Sequence, residues 1–232
     1  AVIIDRGLGE SLYDPDLQRA IENEFWPSFE NYFYYSVYPA TLGVLLRPLA
    51  EVSPLTARLI FLGLSIACYL AALKLITSIN SNLKEPLWVL TGLGLLFLPV
   101  FLSVVAGQNT AFSMAIFALL LAALKSSRTS QALAGAGVGV WMCKPQFGGF
   151  FMLFLLLTKR FRALLYGAIV AGTLGAIALF AVDPLWVSKW IKALALFAPL
   201  NYLHNAPQQA SIFGFTNALA IWAECSALSA TI

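Results

Sequence analysis

The sequence has few charged residues and few of the side chains that bind metal ions. Only 11% of its 232 residues are charged, and it contains one histidine and three cysteines. The cysteines lie in apolar segments without the spacing of metal ligands, a pattern typical of buried free thiols rather than of a zinc site. The net charge of +3 is too small and too dispersed for a nucleic-acid-binding protein.

Apolar residues dominate the remaining composition. They make up 60% of the chain, and the mean hydropathy is +0.81, which is typical of a multi-pass membrane protein. A transmembrane helix needs about 20 apolar residues, and four stretches meet this requirement, at 56–76, 86–105, 163–182 and 212–232. We therefore predict an all-α multi-pass membrane protein, with an acidic and aromatic extracytoplasmic loop at 1–54 and a transmembrane bundle at 55–232.

Lys144 is a positive charge inside one of these apolar regions. A lysine near the bilayer centre costs about 2.5–3.5 kcal/mol, so such residues face a cavity or a partner. Pro145 breaks the helix at the same point, and broken helices at membrane depth line polar spaces. A lysine that snorkels to the interface is the alternative interpretation. With Gln146 beside it, the pattern favours a buried anion site.

The apolar stretch around Lys144, at 130–157, is too long for one straight span. Its 28 residues would extend about 42 Å against a hydrocarbon core of about 30 Å. A helical hairpin would instead place seven basic residues of three loops, at 74–84, 125–128 and 159–162, on one side with a single acid, in agreement with the positive-inside rule. We therefore predict a hairpin at 130–157, with residues 1–54, the hairpin tip and the segment 183–211 on the extracytoplasmic side.

The predicted outer side carries polar groups with both a structural and a functional interpretation. Asp14-Pro15-Asp16 resembles the DxD metal motif of sugar-nucleotide transferases, but Asp followed by Pro is also an ordinary helix start, and we favour the latter. Gln108 and Asn109 either satisfy backbone groups between two helices or bind a ligand. His204 is interpreted as a solvated loop residue. We also predict interfacial helices at 39–49 and 185–200.

Small residues recur at four-residue spacing in two of the predicted helices. Such a spacing lets the backbones of neighbouring membrane helices approach each other closely. We therefore predict close helix packing at Gly135 and Gly139 and at Gly167, Ala171 and Gly175.

Five motifs occur in an order that resembles one protein family. They are Leu12-Tyr13-Asp14-Pro15; Tyr38-Pro39 with Arg47-Pro48-Leu49; Gly107-Gln108-Asn109; Lys144-Pro145-Gln146-Phe147-Gly148 with the basic loop at 159–163; and Ser211-Ile212-Phe213-Gly214. Together, from about residue 8 to 222, they resemble the bacterial polyprenol-phosphate-dependent mannosyltransferases of glycosyltransferase family eighty-seven. That resemblance implies the glycosyltransferase-C fold, a helical bundle with broken helices and interfacial helices on its outer face.

Two departures from the family pattern stand out. Ala40 replaces the second proline that usually follows the tyrosine. The acidic residue that such enzymes carry after their first transmembrane helix, just upstream of the Tyr-Asp-Pro motif, is missing from the chain. We therefore expect an N- and C-terminally truncated fragment whose general base lies upstream of Ala1, with Asp14 as a weaker candidate.

The resemblance also implies a reaction. A sugar, expected to be mannose, would pass with inversion from a polyprenyl-phosphate donor to a lipid or glycan acceptor, at the outer face of the plasma (inner) membrane and without a cofactor or metal. Lys144 would stabilise the departing phosphate, and Gln108, Asn109 and Gln146 would hydrogen-bond the phosphate or the sugar. Possible further substrate contacts are Tyr13, Tyr38, His204 and Ser211.

Two other classes of protein remain open. A secondary transporter also uses broken helices near mid-membrane, and the polar breaks at 107–109 and 144–146 would be such a pair. The lack of repeat symmetry and the large aromatic outer loop count against it. A lipid-carrier polymerase, ligase or flippase would share the lipid and the outer site, but a longer run of spans is expected of it.

Overall fold

The computed structural model shows a chain of helices joined by turns. It describes residues 1–25, 35–80, 82–83, 85–97, 100–101, 108–125 and 128–205, with the backbone alone at 125, 128–130 and 198–205. Every regular element within these ranges is helical, so the all-α prediction is confirmed. The predicted span at 212–232 lies outside the described residues.

The N-terminal part consists of short elements. They are α1 (Val2–Asp5), a 3-10 helix (Gly9–Ser11), α2 (Pro15–Phe25), α3 (Ala40–Leu45) and a second 3-10 helix (Arg47–Glu51). The single helix predicted at 39–49 is wrong, because the chain breaks at Leu46. Pro48 has no N–H to donate and disfavours the helical conformation at Arg47.

Helix α2 begins where the Asp-Pro pair of the sequence predicts a helix start. The Oδ1 atom of Asp14 accepts hydrogen bonds from the backbone N–H groups of Asp16 (2.9 Å) and Leu17 (3.3 Å). This satisfies donors that the first turn of a helix leaves without a partner. The interpretation of Asp14 as a helix cap is confirmed.

The second part of the chain contains the longer helices. They are α4 (Pro54–Ile79), α5 (Leu87–Leu96), α6 (Thr110–Lys125), α7 (Arg128–Trp141), α8 (Pro145–Leu157), α9 (Phe161–Ala181) and α10 (Trp186–Asn205). By length and composition, α4 and α9 could each cross a membrane, and they coincide with the spans predicted at 56–76 and 163–182. The other long helix in this part, α10, covers the interfacial helix predicted at 185–200.

The span predicted at 86–105 is not one continuous helix. Helix α5 ends at Leu96, and Phe97 adopts an extended conformation with φ −75° and ψ 104°. Pro99 follows two residues later, and a proline cannot donate the backbone hydrogen bond that a continuous helix needs at that position. Apolar composition predicted the segment but not this interruption.

The core of the bundle lies among α6, α7, α8 and α9. Its most buried members are Leu120, Ala123, Ala134, Val138, Leu155 and Ala163. A Cβ atom at Gly135 would collide with the carbonyl oxygen of Ala163, and one at Gly139 would lie 2.5 Å from that of Gly167. Since later residues of α7 meet later residues of α9, these two helices run parallel.

The glycine spacing therefore predicted real contacts, with one exception. Gly135, Gly139 and Gly167 all lie where two backbones meet, so close packing at these positions is confirmed. At Gly175 an added Cβ atom would meet no atom of the described residues within 4 Å. Within that part of the chain the prediction is wrong at Gly175, because α9 extends beyond its contact with the glycines of α7.

The chain reverses its direction between α7 and α8. The Trp141 ring, in the last turn of α7, stacks on Phe147 and Phe151 of α8, with ring centroids 5.7 and 5.1 Å apart. After α8 the chain turns again, and the Nη2 atom of Arg160 donates a 2.9 Å hydrogen bond to the carbonyl of Leu124. Helices α7 and α8 thus form a hairpin, and Lys125, Arg128 and the basic segment 159–162 lie at one end of the bundle.

Candidate functional site

The tip of the hairpin lies at the opposite end and is built around Lys144. Residues 142–144 form the turn, Lys144 precedes the first residue of α8, and its carbonyl accepts hydrogen bonds from the N–H groups of Phe147 and Gly148, both at 2.9 Å. Gly148 permits the tight turn, since a Cβ atom there would lie 2.8 Å from the Met142 nitrogen. Pro145 and Gly148 thus determine where the helix breaks.

Lys144 presents its charge at this tip. Its side chain is half-buried, and within the described residues its ammonium group has no hydrogen-bond or ion-pair partner. The neighbouring Gln146 is exposed in the first turn of α8, where the helix dipole favours a negative charge. A cation, an amide side chain and a helix N-terminus together suit an anion.

Asn109 lies at about the same height in the bundle as Lys144. Helices α6 and α7 are antiparallel neighbours, and a Cβ atom at Gly137 would lie 3.4 Å from the Ile116 side chain. Counting seven residues forward from Gly137 and seven back from Ile116 leads to Lys144 and Asn109. Gln108 is exposed and Asn109 is half-buried. The structure therefore brings these predicted site residues to the same end of two adjacent helices.

Lys189 attaches the N-terminal part of the chain to this end of the bundle. Asp183, just after α9, is only 6% exposed and pairs with Lys189 of α10. Lys189 also donates a 2.9 Å hydrogen bond to the carbonyl of Glu10. The hydrogen bond from Lys189, with another from the Leu185 N–H, holds the pKa of Asp183 below its ordinary value. Asp183 is thus a paired structural carboxylate.

A second set of contacts fixes the strap, which we define as residues 35–39, a segment without regular secondary structure. The Gln18 side chain accepts a hydrogen bond from the Ser36 N–H (2.8 Å) and donates to the carbonyls of Ser36 (3.1 Å) and Leu12 (2.8 Å). The Trp190 indole donates to the Val37 carbonyl at 2.8 Å. Sequence reasoning missed Gln18 and this contact of Trp190, because neither belongs to a local motif.

Tyr13 and Tyr38, both predicted substrate contacts, meet at the strap. The Tyr13 hydroxyl donates to the Tyr38 carbonyl at 3.1 Å, and the Tyr35 hydroxyl donates to the Tyr13 carbonyl at 2.8 Å. Burial raises the pKa of Tyr13, so its hydroxyl stays protonated at neutral pH. The Tyr38 ring itself remains 42% exposed.

Both tyrosines line a groove between α2, α3 and the first turns of α4. The groove has a volume of about 1320 Å³, and most of its wall is apolar. Lys144, Gln146, Gln108 and Asn109 are not among its lining residues. The predicted site residues therefore fall into two groups, the polar tip and the apolar groove.

Three of the remaining predicted residues contribute less to this description. Asp14 is exposed and caps α2. His204 lies in α10, where only the backbone is described, and Ser211 lies outside the described residues. In the part of the chain that the structure describes, no three His, Cys, Asp or Glu side chains lie close enough together to hold a metal ion.

This geometry defines a helical protein with membrane-length helices, a hairpin tip that presents Lys144 and an apolar groove. The family model of glycosyltransferase family 87 matches residues 36–227, and the chain belongs to that family. The matched range includes the motifs at 107–109, 144–148 and 211–214, whereas Leu12-Tyr13-Asp14-Pro15 lies before it. Searches among curated proteins and among solved structures found no match. Family membership implies glycosyltransferase activity with a sugar donor and a lipid or glycan acceptor.

Proposed function

We propose that the protein is an inverting, multi-pass membrane glycosyltransferase that transfers mannose from polyprenyl phosphate to a lipid or glycan acceptor. The observation that carries this proposal is the Lys144 ammonium group, which stands at the hairpin tip without a partner among the described residues. The chain belongs to a glycosyltransferase family, and Lys144 has the charge to stabilise a leaving phosphate.

The chemistry follows from the charge that develops at the leaving group. When the acceptor hydroxyl attacks the anomeric carbon, the bond to the phosphate oxygen breaks and that oxygen gains negative charge. A cation held in place beside it lowers the barrier, because a site shielded from water strengthens the attraction. Asn109, Gln108 and Gln146 supply amide groups at the same end of the bundle for the phosphate and the sugar hydroxyls.

The reaction also needs a base for the acceptor hydroxyl. A carboxylate must come within hydrogen-bond reach of that proton. At the tip end of the bundle, Asp183 pairs with Lys189, Glu24 with Arg6 and Asp5 with Arg47, and Asp14 caps α2. Asp14 is the candidate base within the chain.

We further propose that the hairpin tip faces the extracytoplasmic side of the plasma (inner) membrane. In a variant whose three native cysteines are replaced, a cysteine at Gln146 should react with an impermeant thiol reagent added outside, since Gln146 is exposed at the tip. A cysteine at Thr158, exposed at the basic end, should react only after the membrane is opened, because basic loops remain inside. Labelling of Thr158 from outside would contradict this topology.

A transfer assay tests the proposed activity. Membranes that contain the intact protein are incubated with radiolabelled polyprenyl-phosphate mannose, and label is measured in the lipid and glycan fractions. We expect transfer from this donor and none from a labelled sugar nucleotide. Transfer from the sugar nucleotide alone would show that the donor class is wrong.

A further inference from the structure

The turn between α8 and α9 holds a lysine in a backbone conformation that favours glycine. Lys159 has φ 55°, and it is the one non-glycine residue with a positive φ in the part of the chain that the structure describes. Its N–H donates to the Leu156 carbonyl (3.0 Å), and the Arg160 N–H donates to the Leu155 carbonyl (2.8 Å). These two bonds form a Schellman motif, whose left-handed position is usually taken by glycine because glycine has no Cβ atom. A lysine at this position is therefore strained.

The end of α8 does not by itself explain why a lysine takes the strained position. The negative end of a helix dipole attracts a cation placed near the last turn. Thr158, one residue earlier, is also exposed and has φ −84°, so a lysine there would gain the same attraction without a left-handed backbone. The charge of Lys159 at its own position therefore points to a partner outside the helix.

Two arginines extend the positive charge of this turn. We define the basic turn as Lys159, Arg160 and Arg162. Lys159 and Arg162 are exposed, whereas Arg160 is half-buried and donates to the Leu124 carbonyl. Within the described residues none of the three forms an ion pair with an acid. Three positive charges thus lie within four residues, and an anionic partner is complementary to them.

Exposed apolar side chains lie on both sides of the basic turn. Leu157, the last residue of α8, is 72% exposed, and Phe161, the first residue of α9, is 60% exposed. Because α9 is long and apolar enough to cross a membrane, its first turn lies at a membrane boundary. A free phosphate ion would use only the charges of this surface. A phospholipid would use both the charges and the apolar side chains beside them.

We infer that the basic turn binds the headgroup of an anionic phospholipid of the membrane that the helices cross. Basic residues next to a transmembrane helix attract anionic lipids through their charge. Lys159 and Arg162 contact the headgroup phosphate, and the acyl chains lie along Leu157 and Phe161. This lipid is distinct from any phosphate at Lys144, because the basic turn and the hairpin tip lie at opposite ends of α8. The strain at Lys159 is then a loss of stability that is retained for binding.

Lipid titrations test this assignment. The intact protein in neutral detergent is titrated with fluorescent phosphatidylglycerol and, separately, with fluorescent phosphatidylcholine, whose headgroup has no net charge. Lys159→Gly and Arg162→Gln should each weaken phosphatidylglycerol binding roughly fivefold and leave the weaker phosphatidylcholine binding unchanged. Lys192→Gln is the matched control, because it removes an exposed positive charge from α10, and it should bind both lipids as the unmodified protein does. Excess inorganic phosphate should not displace phosphatidylglycerol.

Chemical denaturation of the same variants distinguishes a lipid-binding lysine from a structural one. In detergent without added lipid, Lys159→Gly should unfold at a higher denaturant concentration than the unmodified protein, because glycine adopts φ 55° without strain. Greater stability together with weaker phosphatidylglycerol binding is the expected result. A Lys159→Gly variant that binds this lipid normally, or that is less stable, would overturn the inference.

Two further results would also overturn it. If Lys192→Gln weakens phosphatidylglycerol binding as much as Arg162→Gln does, or if inorganic phosphate displaces the lipid, the turn attracts any anion and has no lipid site. If Lys144→Met weakens phosphatidylglycerol binding, the lipid is bound at the hairpin tip instead.

Discussion

Lys144→Met should lower the rate of sugar transfer by roughly 10²–10³-fold and leave the protein folded. Removing one group that stabilises a developing oxyanion typically costs about 2.7–4 kcal/mol of transition-state stabilisation. Methionine keeps much of the length of lysine, and the loss of a charge in an apolar region lowers the cost of membrane insertion. The measurement is kcat with labelled polyprenyl-phosphate mannose at saturating donor, together with the amount of protein in the membrane.

Lys192→Met is the matched control for this experiment. Lys192 is an exposed lysine of α10, and the same substitution there should leave kcat unchanged. Lys144→Arg should recover part of the lost rate, because it restores the charge with a different shape. A Lys144→Met variant with full activity would exclude Lys144 from the reaction.

Local features of the sequence predicted the helix ends around the site. Proline and the residues beside it have strong conformational preferences, so the break at Pro145 could be read directly from the chain. The cap at Asp14 depends only on residues within three positions of it. The pairing of α6 with α7, which brings Asn109 to the level of Lys144, also follows from the sequence. Only two residues of the chain separate these two antiparallel helices.

Contacts between distant parts of the chain could not be predicted in this way. Lys189 donates to a carbonyl 179 residues away at Glu10, and Gln18 meets the strap 18 residues later. Such bonds leave no periodic signal, because each depends on where the tertiary fold brings two segments together. The groove was missed for the same reason, since its walls come from separate helices.

The contacts around the hairpin tip determine where Lys144 stands relative to the N-terminal helices. Lys144 supplies the cation that we propose for the phosphate leaving the donor sugar. The Asp183–Lys189 pair and the strap connect the N-terminal helices to the same end of the bundle as Lys144. The position of Lys144 relative to these helices therefore depends on how firmly α7, α9 and the N-terminal helices are packed.

Gly139→Leu should destabilise the protein by about 3 kcal/mol, near the upper end of the usual cost of overpacking. An added Cβ atom at Gly139 would lie 2.5 Å from the carbonyl oxygen of Gly167 and 2.8 Å from the Cβ atom of Val170. The backbone of α9 would have to move away from α7, and side-chain rotation cannot relieve a contact with a carbonyl. The measurement is the free energy of unfolding in detergent micelles by chemical denaturation.

Gly175→Leu provides the control, because it adds the same side chain in α9, where no atom of the residues that the structure describes lies within 4 Å of the new Cβ. Leucine has a higher helix propensity than glycine by up to about 1 kcal/mol, so this variant should be as stable as the unmodified protein or more stable. The two variants should also differ in transfer rate, since only Gly139→Leu displaces the helix that leads to Lys144. Equal stability of the two variants would show that α7 and α9 do not meet at these glycines, and the geometry of the hairpin tip would then lose its main support.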